Sequence, residues 1–110
     1  MAREVETMKT IPNNTAVTEI KIHSMVTPLC SVGKLPFLAD IEMIYAPKDR
    51  LIEFESYETW LNEFNSRSLT IEDLASEIAR KVHDETDALV EVRVKARTTV
   101  HGDTEVVCRL

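Results

Sequence analysis

From Val90 to Arg97 the chain alternates apolar and charged residues without a break: Val90, Val92, Val94 and Ala96 against Glu91, Arg93, Lys95 and Arg97. Successive side chains of an extended strand point to opposite faces, so this run has one face for water and one that must be covered. A sheet with a second layer over its apolar side satisfies that demand. His101-Gly102-Asp103 reads as a turn and Thr104 to Leu110 as the returning strand, which makes this part a β-hairpin.

The same period recurs upstream. In Val17 to His23, Ile20 and Ile22 alternate with Lys21 and His23; in Leu38 to Tyr45, Ala39, Ile41, Met43 and Tyr45 oppose Asp40, Glu42 and Ile44. A turn at Ala46 to Arg50 leads to a short helix, expected to be capped by Ser56 and to run through Trp60, Leu61 and Phe64. A second helix opens at Thr70, with Asp73 at the capping-box position and Ile71, Leu74, Ile78 and Val82 on one face beside Ala75 and Ala79. The predicted fold is therefore α+β in the order ββααββ, an antiparallel four-stranded sheet with two helices on one face. Residues 1–15 are polar, aperiodic and carry Pro12-Asn13-Asn14; they read as a flexible N-terminal arm with Met8 available as a start, and residues 16–110 as the domain.

A domain of 110 residues buries a modest share of its surface, so contact between subunits is an expected source of stability. By parity the uncovered sheet face gathers Lys21, His23, Asp40, Glu42, Arg93, Lys95, Arg97, Glu105 and Arg109, with signs that can pair across strands. Two readings stay open for it: a solvated surface, or the lining of a wet channel made when several sheets join edge to edge.

Several functions are excluded. A net charge of −6 argues against coating nucleic acid, and Lys34, Lys48, Arg50, Arg67, Arg80 and Lys81 are too dispersed to form a basic stripe. Cys30 and Cys108, with no secretory segment and no bilayer-length apolar run, point to a reduced, cytoplasmic setting without a membrane partner. Gly33 and Gly102 are too few for a phosphate-binding loop, and His23, His83 and His101 show no zinc-ligand spacing with the cysteines. Trp60 reads as a core or subunit-contact anchor.

Two residues remain as carriers of chemistry. Cys30 follows a strand in a loop where neighbouring amides or Lys34 can favour thiolate, although free cysteine is also among the most buried residue types. Glu72 stands in the first turn of the second helix, where a carboxylate is also simply a good helix start.

The segment Cys30-Ser31-Val32-Gly33-Lys34-Leu35-Pro36-Phe37, followed by Tyr45-Ala46-Pro47, resembles the Cys-Glu-His-His-x-x-Pro-Phe and Tyr-x-Pro stretches of GTP cyclohydrolase I. Ile71-Glu72-Asp73-Leu74 lies where cyclohydrolases carry Gln-Glu-x-Leu and 7-cyano-7-deazaguanine reductases carry His-Glu-Asp. With the element order, this similarity over residues 16–110 places the chain near the tunnelling-fold (T-fold) superfamily, whose subunits join into a β-barrel tunnel. The resemblance implies a homo-oligomer, a pentamer or decamer, that binds a purine- or pterin-like small molecule with Glu72 as its anchor.

The departures select among the members. Ser31-Val32-Gly33 offers no histidine, and Val100 stands at the late-strand cysteine position, so no metal is expected. The reductases attack a nitrile with the loop cysteine, forming a thioimide, and use a nearby aspartate as proton donor; Phe37 stands at that place here, and Ile71 replaces the histidine before the anchor glutamate. Their nicotinamide-binding stretch Glu-Ser-Lys-Ser-x-Lys corresponds to Glu53-Phe54-Glu55-Ser56-Tyr57-Glu58, in which both lysines have become glutamates. Such a change repels a phosphate-bearing cofactor, so none is expected.

What this pattern most resembles is the QueF-like enzymes, which add ammonia to the thioimide and form the amidine of archaeosine, with transfer RNA as a candidate partner. On that resemblance Cys30 is the nucleophile, Asp40 a candidate proton donor if the loop path differs, and Glu72, Phe37 and Glu53 bind substrate. The alternatives are a GTP cyclohydrolase I-like or other pterin- or purine-acting enzyme, a 7-cyano-7-deazaguanine reductase, and a non-catalytic T-fold binding or assembly protein.

Overall fold

The alternation seen in the sequence is locked in place by one long ladder. In the computed structural model, which describes residues 8–98 and 102–110, strand β4 (Leu38–Ala46) pairs antiparallel with β7 (Leu89–Thr98). Its register sets Ala39 opposite Ala96, Ile41 opposite Val94, Met43 opposite Val92 and Tyr45 opposite Val90, and every one of these is buried. Strand β2 (Ile20–Val26) lies on the outer side of β4, and β8 (Gly102–Arg109) on the outer side of β7. The sheet order is thus β2-β4-β7-β8, antiparallel throughout, as the α+β reading requires.

Helix α1 (Phe54–Asn62) and helix α2 (Ile71–Thr86) supply the second layer. Leu74, Ala75, Ile78, Ala79 and Val82 of α2 are fully buried, and the alanines let the helix lie close to β7. The Thr70 side chain accepts the Asp73 N–H at 3.0 Å, and the helix stops at Asp87, which takes the left-handed conformation (φ 54°) and donates its N–H to the His83 carbonyl at 2.7 Å. Among the described residues no helix is long and apolar enough to cross a membrane.

Three features differ from the sequence reading. First, part of the stretch set aside as a flexible arm belongs to the fold: Met8 is buried in the core, and β1 (Thr10–Pro12) pairs with β5 (Arg50–Ile52). The Asn13 side chain secures this attachment, donating to the carbonyls of Val17 and Lys48 at 3.0 Å each. Second, α1 begins at Phe54, with Glu53 and not Ser56 at its cap position. Ser56 is instead buried inside the first turn, where its hydroxyl accepts the Lys9 N–H and donates to the Glu53 carbonyl, each at 2.9 Å. Third, Gly102 already belongs to β8, opposite Thr98, with φ 73°. Val100 and His101 lie outside the described residues, as do residues 1–7.

Two buried tyrosines give opposite expectations. The Tyr45 hydroxyl accepts the Ile52 N–H at 2.9 Å, so Tyr45→Phe strands a buried amide and is expected to cost about 1–3 kcal/mol. The Tyr57 hydroxyl has no partner among the described residues, and burial pushes its phenol well above the ordinary range. Tyr57→Phe is therefore expected to leave the melting temperature unchanged or raised. Thermal unfolding of the two variants beside the parent chain checks the contrast.

Candidate active site

The path of the chain between β2 and β4 decides where Cys30 goes. Three hydrogen bonds fasten it to the segment that follows α1: Thr27 N–H to Asn65 Oδ1 (2.8 Å), Ser66 N–H to the Thr27 carbonyl (3.0 Å) and Leu29 N–H to the Arg67 carbonyl (3.0 Å). A two-residue parallel ladder continues the seam, β3 (Leu29–Cys30) against β6 (Ser68–Leu69), with Cys30 directly opposite Leu69. Leu69 precedes the helix cap Thr70. The seam therefore delivers the cysteine to the first turn of α2, where the amide end of the helix dipole favours negative charge.

Beyond Cys30 the chain folds back on itself. The Lys34 N–H donates to the Cys30 carbonyl and the Cys30 N–H to the Leu35 carbonyl, both at 2.8 Å. The enclosed turn aims the amides of Gly33 and Val32 at the sulfur. These donors hold the thiol below its ordinary range, with the Lys34 charge adding a smaller push in the same direction and partial burial opposing it.

Cys30 faces a cleft of about 230 Å³. Ser31, Val32 and Phe37 come from its own loop, Leu69 from β6, Thr70 to Glu72 from the cap and first turn of α2, and Ala96, Gly102 and Thr104 from β7 and β8. The lining is largely apolar with a few polar groups, and the size, below the about 300–1,000 Å³ usual for drug-sized ligands, suits a compact ring system. Glu72 is the carboxylate of the wall, and Phe37 packs between the cleft and the core.

Of the five residues expected at a site, this chain brings Cys30, Phe37 and Glu72 together and leaves Asp40 and Glu53 elsewhere. Asp40 lies between the buried Ala39 and Ile41, so parity turns it to the opposite face of the sheet. There it sits 3.9 Å from Arg97 Nε and lines a separate charged cleft of about 320 Å³ with His23, Glu42, Arg93, Lys95 and Glu105. Glu53 is spent on the α1 cap position, where its N–H donates to the Lys9 carbonyl at 2.9 Å. Leu69, Thr70, Ala96 and Thr104 line the same cleft, and sequence reasoning missed them. Among the described residues, no three His, Cys, Asp or Glu side chains converge as a metal site would require.

On the same charged face, ion pairs cross from β8 to β7 between Arg109 and Glu91 at 2.7 Å and between Arg93 and Glu105 at 3.2 Å, and Arg93 also meets Glu91 of its own strand at 3.0 Å. Arg109 first and Arg93 second hold the Glu91 carboxyl below the usual range. Such solvent-exposed pairs add little to stability.

A sequence profile described as QueF-like protein matches residues 36–110, a stretch that includes Phe37 and Glu72 and begins after Cys30. The chain belongs to the QueF-like protein family. Two curated relatives of this QueF-like chain are NADPH-dependent 7-cyano-7-deazaguanine reductases. The one from Syntrophobacter fumaroxidans is 28% identical over 76% of the chain and 53% of the relative. The one from Aquifex aeolicus is 33% identical over 53% of the chain and 45% of the relative. The QueF-like chain thus spans about half the length of the curated relatives it matches. Among solved structures, the archaeosine synthase QueF-Like in the apo form superposes with a TM-score of 0.79 at 19% identity, covering 84% of this chain and 92% of the other, which establishes the shared T-fold.

The curated relatives are named as NADPH-dependent, and the stretch of this QueF-like chain that resembles a nicotinamide-binding segment, Glu53 to Glu58, is acidic. Glu53, Glu55 and Glu58 stand on the first turns of α1, Glu55 and Glu58 exposed, and the helix has no lysine or arginine. An acidic helix start of this kind repels phosphate.

Proposed function

We propose that the protein acts on the nitrile of 7-cyano-7-deazaguanine through Cys30 and converts it to an amidine. The single observation that carries the reading is the meeting of Cys30 and Glu72, at the start of α2, across one compact cleft. In the first step the thiolate attacks the nitrile carbon; a C–S bond forms, one C≡N π pair moves to nitrogen, and a proton joins it to give a thioimide. Ammonia then adds to the same carbon and the thiolate leaves, yielding the amidine and restoring Cys30. Glu72 holds the guanine-like edge by accepting its N–H donors, and Phe37 presents an apolar wall to the ring. Asp40, on the other sheet face, is given no part. β2 and β8 are the outer strands of the four-stranded sheet, a position that supports assembly of several copies edge to edge, and the charged sheet face then lines the channel.

Reduction of the nitrile is the second reading, favoured by the names of the curated relatives. The acidic start of α1 weighs against it, because hydride would have to come from a phosphate-bearing donor.

Intact-protein mass spectrometry after incubation with 7-cyano-7-deazaguanine tests the proposal. A mass gain equal to the ligand is expected in the parent chain and none in Cys30→Ala. No adduct in the parent chain overturns it. Adding ammonium to the adduct and finding the amidine released separates it from the reductive reading.

A further inference from the structure

The turn after Cys30 contains a glycine in one position and a left-handed residue in the next, and they are not the same residue. Lys34 has φ 58°, whereas Gly33 is not among the positive-φ residues and a Cβ added to it would meet open space. The left-handed region is the one that favours glycine, since every other L residue crowds its own carbonyl there. Here a lysine takes it, as Ala16, Ser66 and Asp87 do elsewhere among the described residues, and what sets Lys34 apart is its place beside a reactive thiol.

The side chain makes use of that place. Lys34 Nζ donates to Ser68 Oγ at 3.0 Å, bridging the Cys30 turn to β6, and Ser68 is the residue before Leu69, the ladder partner of Cys30. The Lys34 amide meanwhile closes the turn onto the Cys30 carbonyl. Backbone and side chain of one residue therefore hold both sides of the loop that presents Val32 and Gly33 amides to the sulfur. We infer that Lys34 is a positioning residue for Cys30, an ammonium clamp that fixes the turn against β6 so that the thiol stays faced by its amide donors. This deepens the reading of Cys30 as nucleophile and rests on that reading for its purpose. The clamp itself is testable without any nitrile.

The test is the pH dependence of Cys30 alkylation by iodoacetamide, followed by site-resolved peptide mass spectrometry with Cys108 as internal reference. Lys34→Gly relieves the backbone strain, so its melting temperature is expected to equal or exceed that of the parent chain. Its alkylation at pH 7 is nevertheless expected to slow by about three- to tenfold, with the inflection of the rate profile moved to higher pH. Ser68→Ala is expected to shift the profile in the same direction. The double variant Lys34→Met with Ser68→Ala should be no slower than Lys34→Met alone, since one tether cannot be broken twice. A Lys34→Gly profile identical to the parent's overturns the inference. So does a slow Lys34→Met beside an unaltered Ser68→Ala, which would make Lys34 a bare charge. An absent ligand adduct with these shifts intact would instead remove the proposed reaction and leave the clamp standing.

Discussion

Glu72→Gln is expected to weaken reversible binding of 7-cyano-7-deazaguanine by roughly 10- to 100-fold while leaving the rate of Cys30 alkylation unaltered. A guanine-like edge presents neighbouring N–H donors, and a carboxylate accepts from both with charge assistance, worth about 1.5–3 kcal/mol. Glutamine keeps one acceptor and turns an NH₂ donor toward the second ligand donor, so one good bond is lost and one repulsive contact is made. Titration calorimetry on both chains in a Cys30→Ala background isolates binding from the covalent step. The competing role of Glu72 is that of a favourable charge at a helix start, worth up to about 1 kcal/mol of stability. An unchanged affinity with a small fall in melting temperature would assign it that role and no other.

What the sequence disclosed tracks the range of each signal. Strands β4 and β7 are long enough for alternation to be unmistakable, and α2 repeats its apolar face and carries its own cap, so these elements were legible in advance. The two- and three-residue strands were not, because β1, β3, β5 and β6 are shorter than one readable period and find partners far along the chain. That matters for the site. Local signals single out Cys30 and Glu72 separately and only the resemblance joins them, whereas the contact that unites them runs through Leu29 and Cys30 against Ser68 and Leu69, a pairing no local pattern announces. Asp40 was drawn in by its closeness to Cys30 in sequence, although the parity of Ala39 and Ile41 already turned it outward. Ser56 misled for a related reason: a serine near a helix start looks like a cap, and here a buried hydroxyl tying down Lys9 uses the same residue differently.

Because the cleft is built at the start of α2, its geometry depends on how firmly that helix is seated, and Ile78→Ala is expected to cost about 2–5 kcal/mol of unfolding free energy. Ile78 is fully buried, at the middle of the face that α2 turns to the sheet. Its neighbours Ala75 and Ala79 are too small to move into the space vacated, so the cavity persists and its cost adds to the lost transfer free energy. Ile78→Val removes one methylene and is expected to cost about 0.5–1.5 kcal/mol. Urea unfolding reads both, with the midpoint falling and the slope constant if only the native packing has changed. Against a typical stability of about 5–15 kcal/mol the alanine variant gives up a substantial fraction. Its folded fraction, however, should still carry Thr70 as a cap and the β3–β6 ladder, since neither touches position 78 in sequence or register. Cys30 alkylation in Ile78→Ala is therefore expected to match the parent chain at low temperature and to lose its distinctive pH profile only as the variant melts. A profile already ordinary at low temperature would mean that the amides on the sulfur depend on the seating of α2 as well as on the turn.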